Sequence, residues 1–361
     1  MSKVLVAMSG GVDSSVTAAL LKKEGYEVVG GTMEVFPEYE QPSLEEGGCC
    51  SLSDVEDAKK VAAELDIPHY TFNFKRPFHE KVIDYFVDEY SRAHTPNPCI
   101  VCNRKIKFNL LLKRALEINC DYLATGHYAR IEHNDSSRHL LYKARDKNKD
   151  QSYMLYKLSQ FQLKHTLFPL GKFEKDEVRN IAKKLNFRIH DKAESQEICF
   201  IPDNDYTRFL NENYPDTGKP GPIYDTKGNY LGEHKGLHQY TIGQRRGLGI
   251  SLNHPVYVVN FDIDQNALIV GKNEEVYSKG LWAEDLNWIP FSVPEDNMRV
   301  KAQIRYNSPP VKATVYLNEK KNNLVKVVFD EKQRAITPGQ SVVFYRNDLV
   351  LGGGIIKNNF G

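Results

Sequence analysis

The sequence predicts an α/β protein, with a doubly wound parallel sheet first and two small β-rich barrel domains after it. Three observations carry this reading. The first 126 residues alternate short apolar runs with stretches of helical period. A Ser9-Gly10-Gly11 turn stands at the end of the first apolar run, the carboxyl edge where such sheets bind ligands. After about residue 205 helical period fades and short β-rich runs follow one another.

Val4–Met8 is the expected first strand. Val16, Ala19 and Leu20 stripe the helix after it, and Gly25 stops that helix. Glu27–Thr32 is the second strand. Val55, Ala58, Ala62 and Leu65 recur at spacings of three and four, which predicts a helix over 54–66. His69–Phe74 makes a third strand, residues 78–92 and 103–118 are helical, and Asp121–Thr125 is a fourth strand ending at Gly126-His127. Residues 134–152 are polar and charged, and Tyr153–Gln162 and Lys175–Leu185 return to helical pattern. Pro215, Gly218, Pro220, Gly221 and Pro222 then mark a change of character. Val256–Phe261 and Ala267–Val270 flank Asp262–Asn266 as a hairpin. Lys301–Tyr306, Val311–Leu317, Leu324–Phe329 and Ser341–Tyr345 read as the last barrel's strands. The expected domains are 1–205, 206–282 and 283–361.

With 361 residues, 41% hydrophobic and 26% charged, the chain has room for two or three cores and the composition of a soluble protein. No apolar stretch nears the ~20 residues of a membrane helix, and the opening apolar run is too short for a secretory leader, so a cytoplasmic protein is expected. A net charge of +1, from 48 basic and 47 acidic residues, carries no global signal for nucleic acid but leaves room for a local basic face. Six cysteines in such a chain point to sulfur, redox or metal chemistry rather than structural disulfides.

The run Leu5–Ser15 is the most specific feature. Two glycines let the backbone turn and approach a ligand, and the hydroxyls of Ser9, Ser14 and Ser15 face the same point as the positive end of the next helix. This is a site for a polyphosphate. Neither the Gly-Lys-Ser/Thr ending of a Walker loop nor a G-x-G-x-x-G spacing is present. The loop resembles the SGGxDS loop of the ATP pyrophosphatases, which split ATP between its α and β phosphates and adenylate a substrate oxygen.

The cysteines admit three readings. Cys99 and Cys102 follow a proline-stiffened turn and precede Arg104, Lys105 and Lys107, an environment that favours thiolate. Cys199 sits in a short apolar run. The set could transfer sulfur, one thiol carrying it and another resolving it. Cys99, Cys102, Cys49 and Cys50 could instead hold a structural zinc. Cys120, beside a strand, reads as a small buried hydrophobe.

Eight collinear runs are similar to the tRNA-specific 2-thiouridylases, a family with an adenine nucleotide α hydrolase-like domain. They are SGGVDSS, TPNPCIVCNRKIKF at 95–108, ATGHYAR at 124–130, KDQSYMLY at 149–156, EICFI at 197–201, GLHQYTIGQRRGLGI at 236–250, TPGQSVVFY at 337–345 and LGGGII at 351–356. The resemblance spans nearly the whole chain. It implies that ATP, with Mg²⁺, binds at Ala7, Met8, Ser9, Gly10, Gly11, Val12, Asp13, Ser14, Met33 and Gly126, with Asp13 a candidate Mg²⁺ ligand. It implies that Cys199 receives a persulfide and that Cys102 is the nucleophile that releases the sulfur. Asn97, Pro98 and Cys99 fall at the target base. His127, Lys149, Asp150, Gln151, Arg305, Tyr306 and Gln340 fall at tRNA contacts, residue types suited to phosphates, base edges and stacking. Many family members carry Asp where this chain has Cys99. The thiol replaces a carboxylate there and brings three cysteines, 99, 102 and 199, toward one centre, enough to hold an iron–sulfur cluster with one open iron. The implied partners are tRNA and a sulfur-donor protein, with neither DNA nor a membrane. Two other readings use fewer of these features: an ATP pyrophosphatase adenylating a small molecule, and a zinc-stabilised RNA-binding protein without catalysis.

Overall fold

The computed structural model describes residues 1–36, 52–133, 138–192, 198–201, 203–215, 218–318 and 323–361. At its centre is β1 (Lys3–Ala7), flanked by β2 (Glu27–Glu34) and then β3 (His69–Asn73) on one side, and by β4 (Tyr122–Ala124) and Thr166–Leu167 on the other. All four pairings are parallel. Successive side chains of β1 point to opposite faces, so each face can bury its own layer. Leu5 joins one core, with Phe78, Phe86, Ile106 and Phe108 from the helical stretches beyond β3. Val4 and Val6 join the other, with Val16 of α1 (Val12–Lys23), Ala58 of α2 (Leu52–Glu64) and Val178 of helix Lys175–Lys184. Helices therefore cover both faces, as a doubly wound sheet requires.

The helical stretches expected at 78–92 and 103–118 begin earlier. The first runs Lys75–Phe78, His79–Ile83, Asp84–Ser91, with a π-helical middle. The second starts at Pro98–Cys102 and continues as a π-helical Asn103–Leu111 into Leu112–Glu117. Its early start has a local cause. Asn97 accepts the Ile100 N–H on its side chain and Pro98 fills the first turn, both helix-opening signals. The expected helix Tyr153–Gln162 divides into a 3₁₀ turn Ser152–Leu155 and a short helix Gln160–Lys164, opened by a capping box of Ser159 and Gln162. The polar stretch before it is entered by a hairpin of Ala129–Glu132 and Leu140–Lys143.

A four-stranded sheet follows, in the order Tyr257–Asp262, Ala267–Gly271, Gly221–Asp225, Tyr230–His234. Its first two strands form the expected hairpin. The last six strands close on themselves. Tyr277–Trp288, Leu324–Arg334, Val311–Leu317, Met298–Gln303, Ser341–Arg346 and Leu349–Phe360 lie side by side, and the last pairs back onto the first. Leu281, Ala283, Val300, Ala302, Val315, Val327 and Phe344 fill this barrel. Residue 282, expected as a domain division, lies within the strand Tyr277–Trp288.

The barrel is fastened to the first domain by a polar seam. The hairpin strand Leu140–Lys143 adds to the barrel sheet through Tyr142, opposite Leu349. Tyr153 donates to the Ser341 carbonyl at 2.8 Å, and the Tyr156 and Ser341 hydroxyls lie 2.9 Å apart. Asn287 donates to the carbonyls of Tyr156 (2.6 Å) and Leu158 (3.1 Å). Asp285 receives both the Lys157 ammonium at 2.7 Å and the Arg104 guanidinium at 3.0 Å. The Lys157 side chain is only 4% exposed, and burial pulls its pKa down to about 8 against the opposing pull of Asp285.

Asp285→Ala leaves that buried ammonium without its carboxylate and is expected to cost about 2–3 kcal/mol. Adding Lys157→Met to the same variant should recover part of the loss, as urea unfolding of the three proteins will show.

Candidate active site

At the end of β1 the chain turns through Met8–Gly11 into α1. Gly10 has φ +70°, and a side chain there would place its Cβ 2.2 Å from the Asp54 carbonyl oxygen of α2. Only glycine serves this close approach. Gly11 caps α1 in an extended conformation with no side chain bonded across the cap. The Ser14 and Ser15 hydroxyls turn back to the Gly11 carbonyl, at 3.0 and 2.9 Å, and the Ser14 oxygen also accepts the Ser9 N–H at 3.2 Å. The start of α1 thus faces a cavity as a set of backbone donors at the positive end of the helix, an arrangement that takes an anion.

The cavity holds about 340 Å³ and gathers residues from distant parts of the chain. Ala7, Met8, Ser9, Gly11, Val12, Asp13 and Ser14 form its floor; Met33 enters from β2, and Gly126 and His127 from the end of β4. Pro98, Cys99, Cys102 and Cys199 complete it. Gly10 stands behind the lining, as the hinge of the loop, and Gly126 lies against the backbone of Asp13. Cys102 is placed by its helix, which buries Ile100 and Ile106 on the side away from solvent. Cys199 is placed by its neighbour: the Phe200 ring packs among Phe78, Phe86 and Phe209 with centroids 5.9, 5.3 and 5.5 Å away. Cys120, by contrast, is buried beside β4 and its thiol is pushed up to about 11 by burial.

Three charged residues that motif reading passes over also line the cavity: Lys175, Lys192 and Asp54. The Lys175 ammonium donates to both carboxylate oxygens of Asp13 at 2.8 Å, and the Tyr128 hydroxyl donates to one of them at 3.0 Å. Lys192 meets Asp54 at 2.8 Å, Asp57 at 2.7 Å and the Gly10 carbonyl at 3.3 Å. Burial opposes its charge, but the two carboxylates prevail and hold its pKa above the ordinary value. The sequence signal for Lys175 was its place as the first residue of an amphipathic helix; Lys192 had none.

The candidate metal ligands do not form a set. Asp13 is engaged by an ammonium, and among the described residues no three His, Cys, Asp or Glu converge to hold a metal. Cys99, Cys102 and Cys199 share the cavity without forming such a cluster among the described residues. Cys49 and Cys50, in the zinc reading, lie outside the described residues.

His127 sits between the rings of Phe108 and Phe168, at 5.8 and 5.9 Å, with Nδ1 2.7 Å from the Thr125 hydroxyl. Burial, assisted by the charge of Lys107, holds its pKa well below the usual value, so the imidazole is neutral. Gln151 lines the cavity and accepts the Tyr128 N–H at 2.9 Å. Asp150 points elsewhere, accepting from Ala144 N–H and from the Ser152 N–H and hydroxyl. The Lys149 backbone closes a turn on Asp146.

Asn97 and the three barrel residues lie outside the lining. Asn97 caps its helix. Gln340 donates to the carbonyls of Thr95 (2.8 Å) and Pro96 (3.5 Å), while Thr95 N–H donates to Pro338, so the barrel grips the segment that leads into the cysteine helix. Arg305 holds the Ala335 carbonyl and the Thr337 hydroxyl, and the Tyr306 ring packs 6.0 Å from that of Tyr153.

Comparison with known proteins covers the chain. Residues 2–203 match the family model described as the tRNA methyl transferase HUP domain, residues 207–272 the PRC-barrel domain of that name, and residues 278–356 the aminomethyltransferase beta-barrel domain. The chain is similar to the tRNA-specific 2-thiouridylase MnmA of Halothermothrix orenii, 66% identical over 361 residues, which is 100% of both chains. It is also similar to proteins of the same name from Natranaerobius thermophilus (54% identity, 98% of this chain and 97% of the relative) and Acetivibrio thermocellus (54%, 98% and 99%).

Gly10→Ala forces a Cβ into the Asp54 backbone at a left-handed φ and is expected to cost about 2 kcal/mol or more, read as a lowered melting temperature. The neutral His127 makes a second prediction. The unfolded chain takes up a proton below about pH 6.5 that the folded imidazole resists. Stability therefore falls as pH drops below that value, by up to about 1.4 kcal/mol per pH unit for one such group. In His127→Gln, unfolding free energies measured between pH 5 and 7 should lose that share of the slope.

Proposed function

This chain belongs to the tRNA-specific 2-thiouridylase family, and from that premise we propose how its residues divide the work of an ATP-dependent tRNA sulfurtransferase. The enzyme replaces the C2 oxygen of the wobble uridine with sulfur. One observation carries the assignment of residues: the phosphate loop and the thiols of Cys102 and Cys199 line the same cavity.

ATP, with Mg²⁺ as part of the substrate, lies along Ala7–Ser14 with its phosphates at the start of α1 and its nucleoside toward Met33 and Gly126. The uridine O2 attacks the α-phosphorus, the bond to the β-phosphate bridge breaks, and pyrophosphate departs. Lys175 and Lys192, bonded to Asp13 and to Asp54 and Asp57, hold the loop in shape while the backbone donors at the start of α1 meet the charge on the leaving group. The adenylated oxygen is now a good leaving group. Cys199 carries a persulfide taken from a sulfur-donor protein. The Cys102 thiolate attacks the Cys199 Sγ, a Cys102–Cys199 disulfide forms, and the terminal sulfur leaves with the electron pair of the broken S–S bond, either as hydrosulfide or already bonded to uridine C2. AMP departs with the old O2. Two external thiols, or one dithiol, return the Cys102–Cys199 disulfide to two thiols and become a disulfide themselves.

Cys99 and the neutral His127 stand where the base would enter, beside Asn97 and Pro98. A thiol in place of the family's common carboxylate leaves proton handling at uridine to a thiolate or to the imidazole. The family resemblance assigns tRNA contact to Lys149, Asp150, Gln151, Arg305, Tyr306 and Gln340, and the hold of Gln340 on Thr95 ties the barrel to the segment before Cys99. Methyl transfer, named in the description of the matching family model, would leave the paired thiols beside a phosphate loop without a task. We place the reaction in the cytoplasm. No helix among the described residues is long and apolar enough to cross a membrane.

Cys199→Ser is expected to retain tRNA-dependent release of pyrophosphate from ATP and to lower 2-thiouridine at least about 100-fold, since one oxygen replaces the sulfur-carrying atom. Mass spectrometry of tRNA nucleosides reads the second quantity. Thiolation that survives in this variant would overturn the assignment, and pyrophosphate release indifferent to tRNA would favour a small-molecule substrate.

A further inference from the structure

We propose that the exposed arginine pair Arg245–Arg246 of the central domain is a phosphate-binding surface for the tRNA backbone, continuous with the Arg305 region of the barrel. The proposal rests on the tRNA reading above and deepens it, since none of the contacts drawn from the family resemblance falls in the central domain.

Arg245 and Arg246 are both exposed, on the turn after the buried Ile242. The turn is shaped from within. The Gln244 side chain accepts the Thr241 N–H and donates to the Arg246 carbonyl, both at 3.0 Å. The Gly243 N–H and the Gln244 carbonyl pair with Val258 at 2.8 and 2.9 Å. With its backbone fixed, the turn leaves the two guanidinium groups as its outward elements. Arg245 also walls a shallow concavity of about 450 Å³ with Ser251, Asn253 and His254, side chains able to bond a sugar-phosphate chain.

The turn leans on the barrel. Arg334 donates to the Gly243 carbonyl at 3.2 Å, and a Cβ on Gly243 would stand 2.7 Å from that of Ala335. Arg305 holds the Ala335 carbonyl from the other side. The turn that carries Arg245 and Arg246 thus abuts the barrel at Gly243, beside Arg334 and Ala335, and none of Arg245, Arg246, Arg334 and Arg305 has an ion-pair partner among the described residues. Elsewhere arginines meet carboxylates, as Arg76 does Glu80, Arg208 does Asp203 and Arg299 does Asp330. In a chain of net charge +1, two adjacent exposed guanidiniums without a carboxylate, with Arg334 behind their turn, make a local field that its overall charge hides. Arginine's forked donors suit phosphate oxygens, and a neutral partner would leave that charge uncompensated.

The test measures binding of unmodified tRNA to the full chain over a range of salt concentrations. Arg245→Ala/Arg246→Ala is expected to bind about tenfold or more weakly, and the slope of log affinity against log salt should fall by about two, one for each lost phosphate contact. Arg245→Lys/Arg246→Lys should keep most of the salt slope, which separates charge from folding. Arg299→Ala, which removes an exposed but paired charge, should change neither quantity. Equal affinity and slope in wild type and the double alanine variant would overturn the proposal while leaving the enzyme's tRNA substrate intact. Absence of tRNA binding by the wild type would overturn the functional reading itself. Unchanged tRNA binding with loss of sulfur transfer from the donor protein would assign the pair to a protein partner and overturn the RNA assignment.

Discussion

One ammonium group ties together the pieces on which the site depends. Lys192 bonds at once to Asp54, Asp57 and the carbonyl of Gly10. The phosphate loop can take its shape only because Gly10 has no side chain to strike α2; Lys192 then locks the loop to that helix with charge-assisted bonds, each stronger than a neutral one. The same residue stands seven positions before Cys199, so the chain that leads to this cysteine starts from a point fixed to the Ser9–Ser15 loop. In the proposed division of work, activation of O2 and delivery of sulfur to the adjoining C2 then start from one anchor.

The barrel works by a second set of polar ties. Asp285, Asn287, Gln340 and Ser341 reach from barrel strands or turns to the carbonyls and charged heads of the catalytic domain. Ile289, Val343, Tyr345 and Val350 join the first domain's apolar core at this junction, and the polar ties fix its geometry, because each buried donor that loses its partner is costly. Its contacts fall on the Arg104 turn, the Thr95–Pro96 approach and the Tyr156–Leu158 segment. The barrel thereby sets where the cysteine helix stands, in addition to what its outer surface does.

Much of this could be read from residue order. Strand–helix alternation over the first 126 residues, the Ser9–Ser15 loop and the barrel strands Val311–Leu317 and Leu324–Arg334 follow from local period and turn chemistry. What stayed hidden shares one property: it depends on partners far along the chain. The two-residue strand Thr166–Leu167 exists only because β4 offers it an edge. Asp285 looks like any surface acid until Lys157 is found beneath it. Lys175 and Lys192 carry no motif, since an ammonium needs only reach and a carboxylate to meet. Asn97 and Gln340 were legible as polar residues suited to a base edge; in the folded chain both bond backbone groups, a role equally open to any amide.

The hairpin strand Leu140–Lys143 meets the barrel at Leu349 and at the Asp348 carbonyl, which accepts the Lys143 N–H, some 200 residues later. Translation at about 5–20 residues per second therefore leaves the catalytic domain waiting on the order of 10–40 s for the strand that covers this edge. During that interval the outer edge of this hairpin strand and the sockets of Tyr153 and Tyr156 face solvent, a surface open to wrong partners. The nascent chain is thus most vulnerable after its catalytic half has been made and before the strand Leu349–Phe360 arrives to seal it.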